Sequence, residues 1–406
     1  AAEDVELMST ALMYFAKALQ DGADYAVCNA VFGFGGATAL YQSQPLQAQN
    51  RCAVVSRTLL ERCRAAAHDP ENVPELLALA AQLCTKPTLI PQALLHYERG
   101  ICAEDAFSAH GKRAFIMSHV LDMTGAPIVL VSAVPVLRSM GYEVLVLGPS
   151  DGGSLHLFLD AGASVITRSS CRNVSDAWGM ALCADFVIAN TVVMARAVRA
   201  LSGTAVPVLW WLHDAFAGYP HIAHQIPTQL GENVRVYSVG SHAANAMRAV
   251  RPEFEIRPLI YGLPDYAAEN FVRTDLGYNR GRPLFATVGS FERRKGHDIF
   301  CKAIRLLPPE VREKASFLFV GQAADKEMMD SVRALTADYP ENVYYCKRLA
   351  RDEIKSLMEQ CTGLVCASRD DPMPTFVTEG LIFGKPSIVS EHTGTAGLIS
   401  EGRNGF

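Results

Sequence analysis

The chain has 406 residues, half of them apolar and 19% charged, which excludes a disordered chain and leaves room for two or three domains with their own cores. A net charge of −5 argues against broad nucleic-acid binding and leaves room only for local basic sites. Eleven cysteines, an odd number with no CxxC pair, predict reduced buried thiols, and Cys361 and Cys366, which bracket an apolar run, are expected in the core.

Residues 1–110 read as a mostly helical extension. Val5 to Leu19 places Leu12, Phe15, Ala16 and Leu19 at helical spacing, and further helices are predicted over Ala53–Ala67 and Pro74–Leu83. One stretch, Ala23-Asp24-Tyr25-Ala26-Val27-Cys28-Asn29-Ala30-Val31, resembles Ala184-Asp185-Phe186-Val187-Ile188-Ala189-Asn190-Thr191-Val192. A degenerate repeated half-domain and a chance match of two buried strands are both open readings.

From Arg113 onward strand and helix patterns alternate. Ala114–Ser118 is a short apolar run, and Thr124-Gly125-Ala126-Pro127 opens a helix to about Ser139, with the proline in a first turn where its missing N–H costs nothing. The apolar stretch from Ala126 to Leu137 ends at Arg138 and is too short to span a bilayer. The first residues lack a basic segment followed by an apolar core, so no signal peptide is expected and the chain reads as cytoplasmic. Further strands are predicted at Glu143–Leu147, Ser164–Thr167, Phe186–Ala189, Val206–Leu212, Arg235–Val239 and Ile256–Ile260, with helices at Val192–Ser202 and His242–Ala249. His221 and His224 fit one face of a helical turn, but a structural zinc takes four ligands, so no metal site is expected.

The polar stretch 265–282 reads as a linker between domains 111–264 and 283–406. The second domain is predicted to run through strands Leu284–Val288, Ser316–Val320, Val343–Cys346, Leu364–Cys366 and Ser387–Val389. Its helices are predicted near Ile299–Leu307, Lys326–Tyr339 and Asp352–Gln360. Alternation of this kind implies two doubly wound α/β domains, with ligands at the carboxyl ends of the strands and the expected site in a cleft between the domains.

Two motifs carry chemistry. The first, Gly289-Ser290-Phe291-Glu292-Arg293-Arg294-Lys295-Gly296, follows a strand and can set a cation against a pyrophosphate; alone it equally fits a solvated basic turn. The second runs from Arg369-Asp370-Asp371-Pro372-Met373-Pro374-Thr375 to Glu379-Gly380, with Asp371 and Glu379 eight positions apart across a loop and a helix start. Amide N–H groups at such a helix start suit a phosphate, and acids before and inside the helix can accept from sugar hydroxyls on either side of it. Together they suggest a nucleotide-sugar site.

On these motifs the chain from about Arg113 to Phe406 resembles the GT-B glycosyltransferases and is most similar to glycosyltransferase family 4. Ser118-His119, Thr124-Gly125-Ala126-Pro127 and Trp210-Trp211-Leu212-His213-Asp214 carry the likeness in the first domain. The resemblance implies two Rossmann-like domains facing a cleft, the first toward the acceptor and the second holding the donor, and a reaction that retains anomeric configuration. It implies that Glu379 binds the ribose hydroxyls and Asp371 the donor sugar, where the family more often has Glu. Thr375, Phe376 and Val377 would offer amides to the distal phosphate, Lys295 would bind the pyrophosphate, and Gly125 would let backbone approach the donor. Ser290 stands where the family places an arginine, with Arg294 as the substitute cation. The resemblance implies that His213 matches the histidine near the donor sugar, with Asp214 either to orient the imidazole or to bind an acceptor hydroxyl, and His119 is a weaker candidate. No metal cofactor is implied, because side-chain cations and a helix terminus can stabilise the departing diphosphate.

The implied partners are a UDP- or GDP-sugar donor and a glycan or lipid-linked acceptor, with peripheral association at the inner face of a membrane and a role in surface polysaccharide synthesis. Family members continue beyond Asn404-Gly405-Phe406 with further helices, so the chain is expected to be a fragment. A glycosyltransferase-like binding or scaffold protein without turnover is the alternative, motivated by Ser290 and Asp371.

Overall fold

The structure is a computed structural model and describes residues 5–7, 11–34, 38–42, 54–70, 73–97, 111–150, 152–168 and 178–406. Its chain forms two compact units, Ala1–Trp210 with Gln229–Arg235, and Trp211–Thr228 with Val236–Phe406.

The first unit contains β1 (Val5–Leu7), α1 (Ala11–Gln20), β2 (Tyr25–Phe34), β3 (Thr38–Gln42), β4 (Val54–Val55), α2 (Arg57–Ala66), α3 (Val73–Leu83) and β5 (Pro87–Tyr97). There follow β6 (Lys112–Met117), α4 (Gly125–Ser139), β7 (Tyr142–Gly148), α5 (Leu155–Asp160), β8 (Ser164–Arg168), β9 (Phe186–Asn190) and α6 (Ala195–Leu201). β6 pairs in parallel with β7 on one side and β9 on the other, and β7 pairs with β8. The order β8-β7-β6-β9 is that of a doubly wound sheet. Its strands are near-continuous apolar runs, with Phe115, Ile116, Leu145 and Val146 fully buried, as a sheet covered on both faces requires.

Over its described residues the expected helical extension is not mostly helical. Helices α2 and α3 stand where the sequence predicts them, but the described part of residues 1–110 also carries β1 to β5. The amphipathic pattern from Val5 splits, because Val5–Leu7 pairs antiparallel with Leu95–Tyr97 and the helix starts only at Ala11. β2 lies parallel to β5 and antiparallel to β3, and β3 extends the sheet by pairing antiparallel with β8. Strand formation there depends on partners distant in sequence, which local periodicity does not read. Tyr25, Leu59, Cys63, Leu76 and Ala80 form the core under α2 and α3.

The two similar stretches share more than residue type. Asp24 N–H donates to Lys86 O (3.2 Å), and the Asp24 carboxylate accepts from Lys86 N (2.9 Å) at the start of β5, the parallel neighbour of β2. Asp185 N–H donates to Arg113 O (2.9 Å), and its carboxylate accepts from Arg113 N (2.7 Å) at the start of β6, the parallel neighbour of β9. One reciprocal aspartate clamp thus aligns a strand pair in each half of the unit.

The units divide within β10 (Val208–Leu212). Beyond it come α7 (Tyr219–Ile222), β11 (Val234–Ser238), α8 (Ser241–Arg248), β12 (Ile256–Pro258), β13 (Leu284–Val288), α9 (His297–Leu306), α10 (Pro309–Arg312), β14 (Ser316–Val320) and α11 (Lys326–Asp338). The last elements are β15 (Val343–Cys346), α12 (Arg351–Gln360), β16 (Gly363–Cys366), α13 (Thr375–Ile382) and β17 (Ser387–Val389). The second unit holds a five-stranded parallel sheet in the order β15-β14-β13-β16-β17. Phenylalanines 291, 300, 317 and 319 pack on one face, and Leu318, Leu357, Leu364 and Phe376 on the other. Cys361 and Cys366 lie in this core as expected, and burial pushes both thiols up to about 11.

The segment 265–282, read as a linker, lies inside the second unit along α12. Val272 N bonds Asp352, Thr274 N bonds Ser356 Oγ, Arg273 forks onto Glu359, and Leu276 N bonds Gln360 Oε1, so one face of the helix holds the strap. Aromatic rings and cations interleave beneath it. Arg351 lies over Tyr266 (4.3 Å), Lys355 between Tyr266 and Phe271 (5.5 Å to each), and Arg273 over Phe271 (4.7 Å). Residues 211–228 and 236–264 also belong to this unit, held in part by Trp211 Nε1 donating to Leu259 O (2.9 Å) and by Tyr261 beside α13.

His297, the first residue of α9, is buried with its ring 4.4 Å from that of Phe291. Burial, with Lys295 adding to it, pushes its pKa down to about 4. The unfolded chain binds a proton near pH 6.5 that the folded chain refuses, so stability falls as pH drops from about 6.5 to 4, by roughly 3 kcal/mol. Urea unfolding of wild type and His297→Leu at pH 7, 5.5 and 4.5 should show the variant losing less stability over that range; parallel losses would contradict this account.

Candidate functional site

β13 and β16 are neighbours whose next strands lie on opposite sides, so the crevice at their carboxyl ends is the switch point of this sheet, where open α/β folds bind ligands. Two loops leave it. The β13 loop passes Gly289 and Ser290, forms the 3-10 turn Arg293–Lys295, and reaches Gly296 at φ +69°. A Cβ at Gly296 would stand 1.9 Å from Ala367 O on the other loop, so only glycine lets the two backbones close.

Backbone and charge stitch the loops together. Arg369 N and Asp370 N donate to Arg294 O at 2.7 and 3.3 Å. The Arg369 guanidinium forks onto Asp298 at 2.8 and 2.7 Å and also bonds Arg293 O; its hydrogen bonds hold the Asp298 carboxyl below the usual carboxylate range. At the centre Lys295 Nζ donates to Asp371 Oδ2 at 2.5 Å, with side-chain exposures of 17% and 4%, which makes this a buried ion pair. Asp371 is fixed from behind, its N–H on His392 O (3.1 Å) and its carbonyl accepting from Gly394 N (2.9 Å).

The other predicted residues are placed as follows. Thr375, Phe376 and Val377 form the first turn of α13; Val377 N donates to Pro374 O (3.1 Å), while the Thr375 and Phe376 amides lead the helix, where an anion is favoured. Glu379, one turn on, is buried and its Oε1 accepts from Arg351 Nη1 at 2.7 Å. Burial opposes the Arg351 charge, but Glu379 outweighs it and raises the guanidinium pKa. Arg294 Nε donates to Glu292 Oε2 at 2.8 Å, and the Ser290 hydroxyl donates to the other oxygen of Glu292. Burial raises the Glu292 carboxyl, yet Ser290, Arg294 and Lys295 together hold it below the usual range. Tyr261 OH reaches Met373 O and Thr378 Oγ1, both at 3.3 Å, and burial, helped by the Asp371 and Glu379 charges, raises its pKa so that it stays protonated.

His213 follows β10 directly and sits with its ring 4.7 Å from that of Trp211. Gly125 opens α4 in the first unit, with Thr124 as the residue before the helix. The structure therefore gathers Arg294, Lys295, Asp371, Thr375, Phe376, Val377 and Glu379 around one crevice of the second unit. Sequence reading missed Glu292, Arg351, Tyr261, Asp370 and His242. Arg351 opens a helix without any motif, and Asp370 was overshadowed by its neighbour.

Residues 110–251 match the family model described as Glycosyl-transferase family 4, and residues 269–406 match that described as Glycosyl transferases group 1. Both matched models describe glycosyltransferases, and the fold of the chain is that of the GT-B glycosyltransferases. This glycosyltransferase shares 28% identity over 141 residues with an uncharacterized glycosyltransferase of Methanocaldococcus jannaschii, covering 34% of this chain and 37% of that protein. Among solved structures it is similar to Anabaena HepE in complex with UDP-glucose, with a TM-score of 0.56 and 17% identity over 73% of this chain and 85% of that one. WaaG, a glycosyltransferase involved in lipopolysaccharide biosynthesis, gives a TM-score of 0.54 at 17% identity, over 72% and 85% of the two chains. Sucrose-phosphate synthase of Thermosynechococcus elongatus gives 0.54 at 15%, over 73% and 85%. At these identities the likeness is one of fold.

Removing one member of a buried ion pair strands the other, at a cost of about 3 kcal/mol or more. In this glycosyltransferase Lys295→Ala should lower the unfolding free energy by that order in denaturant titration, and adding Asp371→Asn should recover a large part of it. Strictly additive losses would show that the pair is not coupled.

Proposed function

We propose that the protein transfers a sugar from a UDP- or GDP-sugar to a glycan or lipid-linked acceptor, with retention of configuration. The observation that carries this reading is the arrangement at the switch point, with Lys295 and Asp371 on one side of the α13 N-terminus and Glu379 one turn inside it. The solved structures of HepE with UDP and with UDP-glucose, on a similar fold, support a nucleotide-sugar donor.

In this reading the diphosphate lies across the Thr375 and Phe376 amides, with Lys295 beside it. Cleavage of the sugar–phosphate bond develops negative charge on the departing diphosphate and positive charge on the sugar ring. Preorganised cations and amide dipoles stabilise the first. Lys295, the leading amides of α13 and Arg294, if Glu292 yields it, supply that charge without a metal. Glu379 accepts from the ribose hydroxyls through the oxygen that Arg351 does not hold. Asp371, one methylene shorter than the family's usual glutamate, orients the donor sugar and helps set which sugar fits. His213, with Asp214, contacts the sugar on the acceptor side, and Gly125 gives close backbone approach. The acceptor hydroxyl attacks on the face the diphosphate leaves, and a phosphate oxygen takes its proton. Among the described residues no helix is long and apolar enough to cross a membrane; our reading places the protein in the cytoplasm, at the inner membrane face, in surface polysaccharide synthesis.

A second reading, binding without turnover, is favoured by the Glu292 carboxylate, which occupies Arg294 and bonds Ser290 where a free cation would serve the diphosphate.

Calorimetric titration with UDP, GDP and ADP should show one nucleotide bound selectively, and Glu379→Ala should weaken it at least about tenfold, the loss of one charge-assisted hydrogen-bonding partner. Binding with no turnover of any sugar nucleotide would favour the second reading. A folded chain that binds none of the three nucleotides would overturn both.

A further inference from the structure

Asp370 stands one residue before the acid assigned to the donor sugar, and nothing in the reading above uses it. Its carboxylate accepts three hydrogen bonds from two elements remote in sequence. Oδ1 accepts from His242 Nε2 at 2.7 Å and from Phe216 N at 3.2 Å, and Oδ2 accepts from Ala217 N at 2.8 Å. The group is largely enclosed, with side-chain exposures of 15% for Asp370 and 13% for His242, and the Phe216 ring meets the His242 ring edge-on at 5.2 Å. Phe216 and Ala217 begin the 3-10 turn that follows His213 and Asp214, and His242 is the second residue of α8.

The residues flanking Asp370 are themselves pinned, Arg369 to Asp298 and Asp371 to Lys295. The carboxylate therefore ties the segment just after His213 to a loop that has little freedom of its own. Two consecutive amides converging on one anion fix both the position and the orientation of that segment.

We infer that Asp370 is a positioning residue that sets where His213 and Asp214 stand relative to the donor loop. The inference rests on the assignment of the 369–379 loop to the donor. The chemistry is specific to aspartate. Two carboxylate oxygens can serve three donors, whereas asparagine offers one acceptor oxygen and turns an N–H₂ group toward donors. Glutamate keeps the charge but moves it by one methylene. A displacement near 1 Å at a reacting group costs about 100-fold in rate. Asp370→Asn should therefore lower kcat about 10- to 100-fold while nucleotide affinity stays within about threefold, since the groups that hold the nucleotide are untouched.

The test uses the full chain. Amide exchange at Phe216 and Ala217 is measured in wild type and in Asp370→Asn. UDP and GDP are titrated into both, and turnover is read on whichever of UDP-glucose, UDP-galactose, UDP-N-acetylglucosamine and GDP-mannose wild type hydrolyses fastest. Faster exchange at both amides, with affinity kept and kcat lost, supports the inference, as does partial recovery of kcat in Asp370→Glu. Unchanged exchange at Phe216 and Ala217, or affinity and kcat falling in parallel, overturns it. If Asp370→Asn does not fold, His242→Phe, which removes one of the three bonds, is read by the same criteria with a smaller loss expected. A wild type that binds neither UDP nor GDP would sink the nucleotide-sugar reading, and the positioning role inferred for Asp370 with it; faster exchange at the two amides would then establish a purely structural tie.

Discussion

The Lys295–Asp371 pair crosses between two loops that leave adjacent strands, with the carboxylate buried and the ammonium largely enclosed. Taking two charges out of solvent costs several kcal/mol for each, so such a pair persists only when the backbone around it delivers both groups in register. Much of the second unit can be understood as that delivery. Gly296 turns left-handed so that its loop can touch Ala367, Arg369 locks onto Asp298, and the backbone of Asp371 is bonded to His392 and Gly394. Parallel strands β13 and β16 fix the origin of both loops.

The same economy extends outward. Glu379 is matched by Arg351 and Arg294 by Glu292, so the crevice holds its charges in pairs. In the proposed reading, a diphosphate entering such a site would exchange partners rather than fill an empty hole. It would compete with Asp371 for Lys295 and free a carboxylate to face a sugar hydroxyl, making binding and the readiness of the sugar-side acid one event.

Much of this was legible in the sequence, because parallel buried strands and helix starts leave strong local signals. β14, β15 and β17 fall where apolar runs place them, and the Lys295, Asp371 and Glu379 positions follow from a turn, a proline-broken loop and a helix start. What stayed illegible depends on contacts between distant segments. β1 to β5 gain their identity from pairing, and Val5–Leu7 carries a helical pattern while lying in a sheet. Asp370 and Asp371 are indistinguishable as letters; only the fold sends one to a lysine and the other to a pair of amides. The likeness between the stretches at 23–31 and 184–192 could be seen, but the reciprocal aspartate clamp they share is a matter of geometry.

The strap along α12 has a consequence for dissecting the chain. Pro283, just before β13, looks like the natural start of a nucleotide-binding piece. Cutting there would remove Tyr266 from beneath Arg351 and Glu269 from the largely buried Lys355, leaving the partner of Glu379 without its aromatic platform. The energetic boundary of the second parallel sheet thus lies well upstream of its first strand, and an excised piece that keeps the Arg351–Glu379 pair supported has to carry residues that belong to no strand or helix of the sheet it serves.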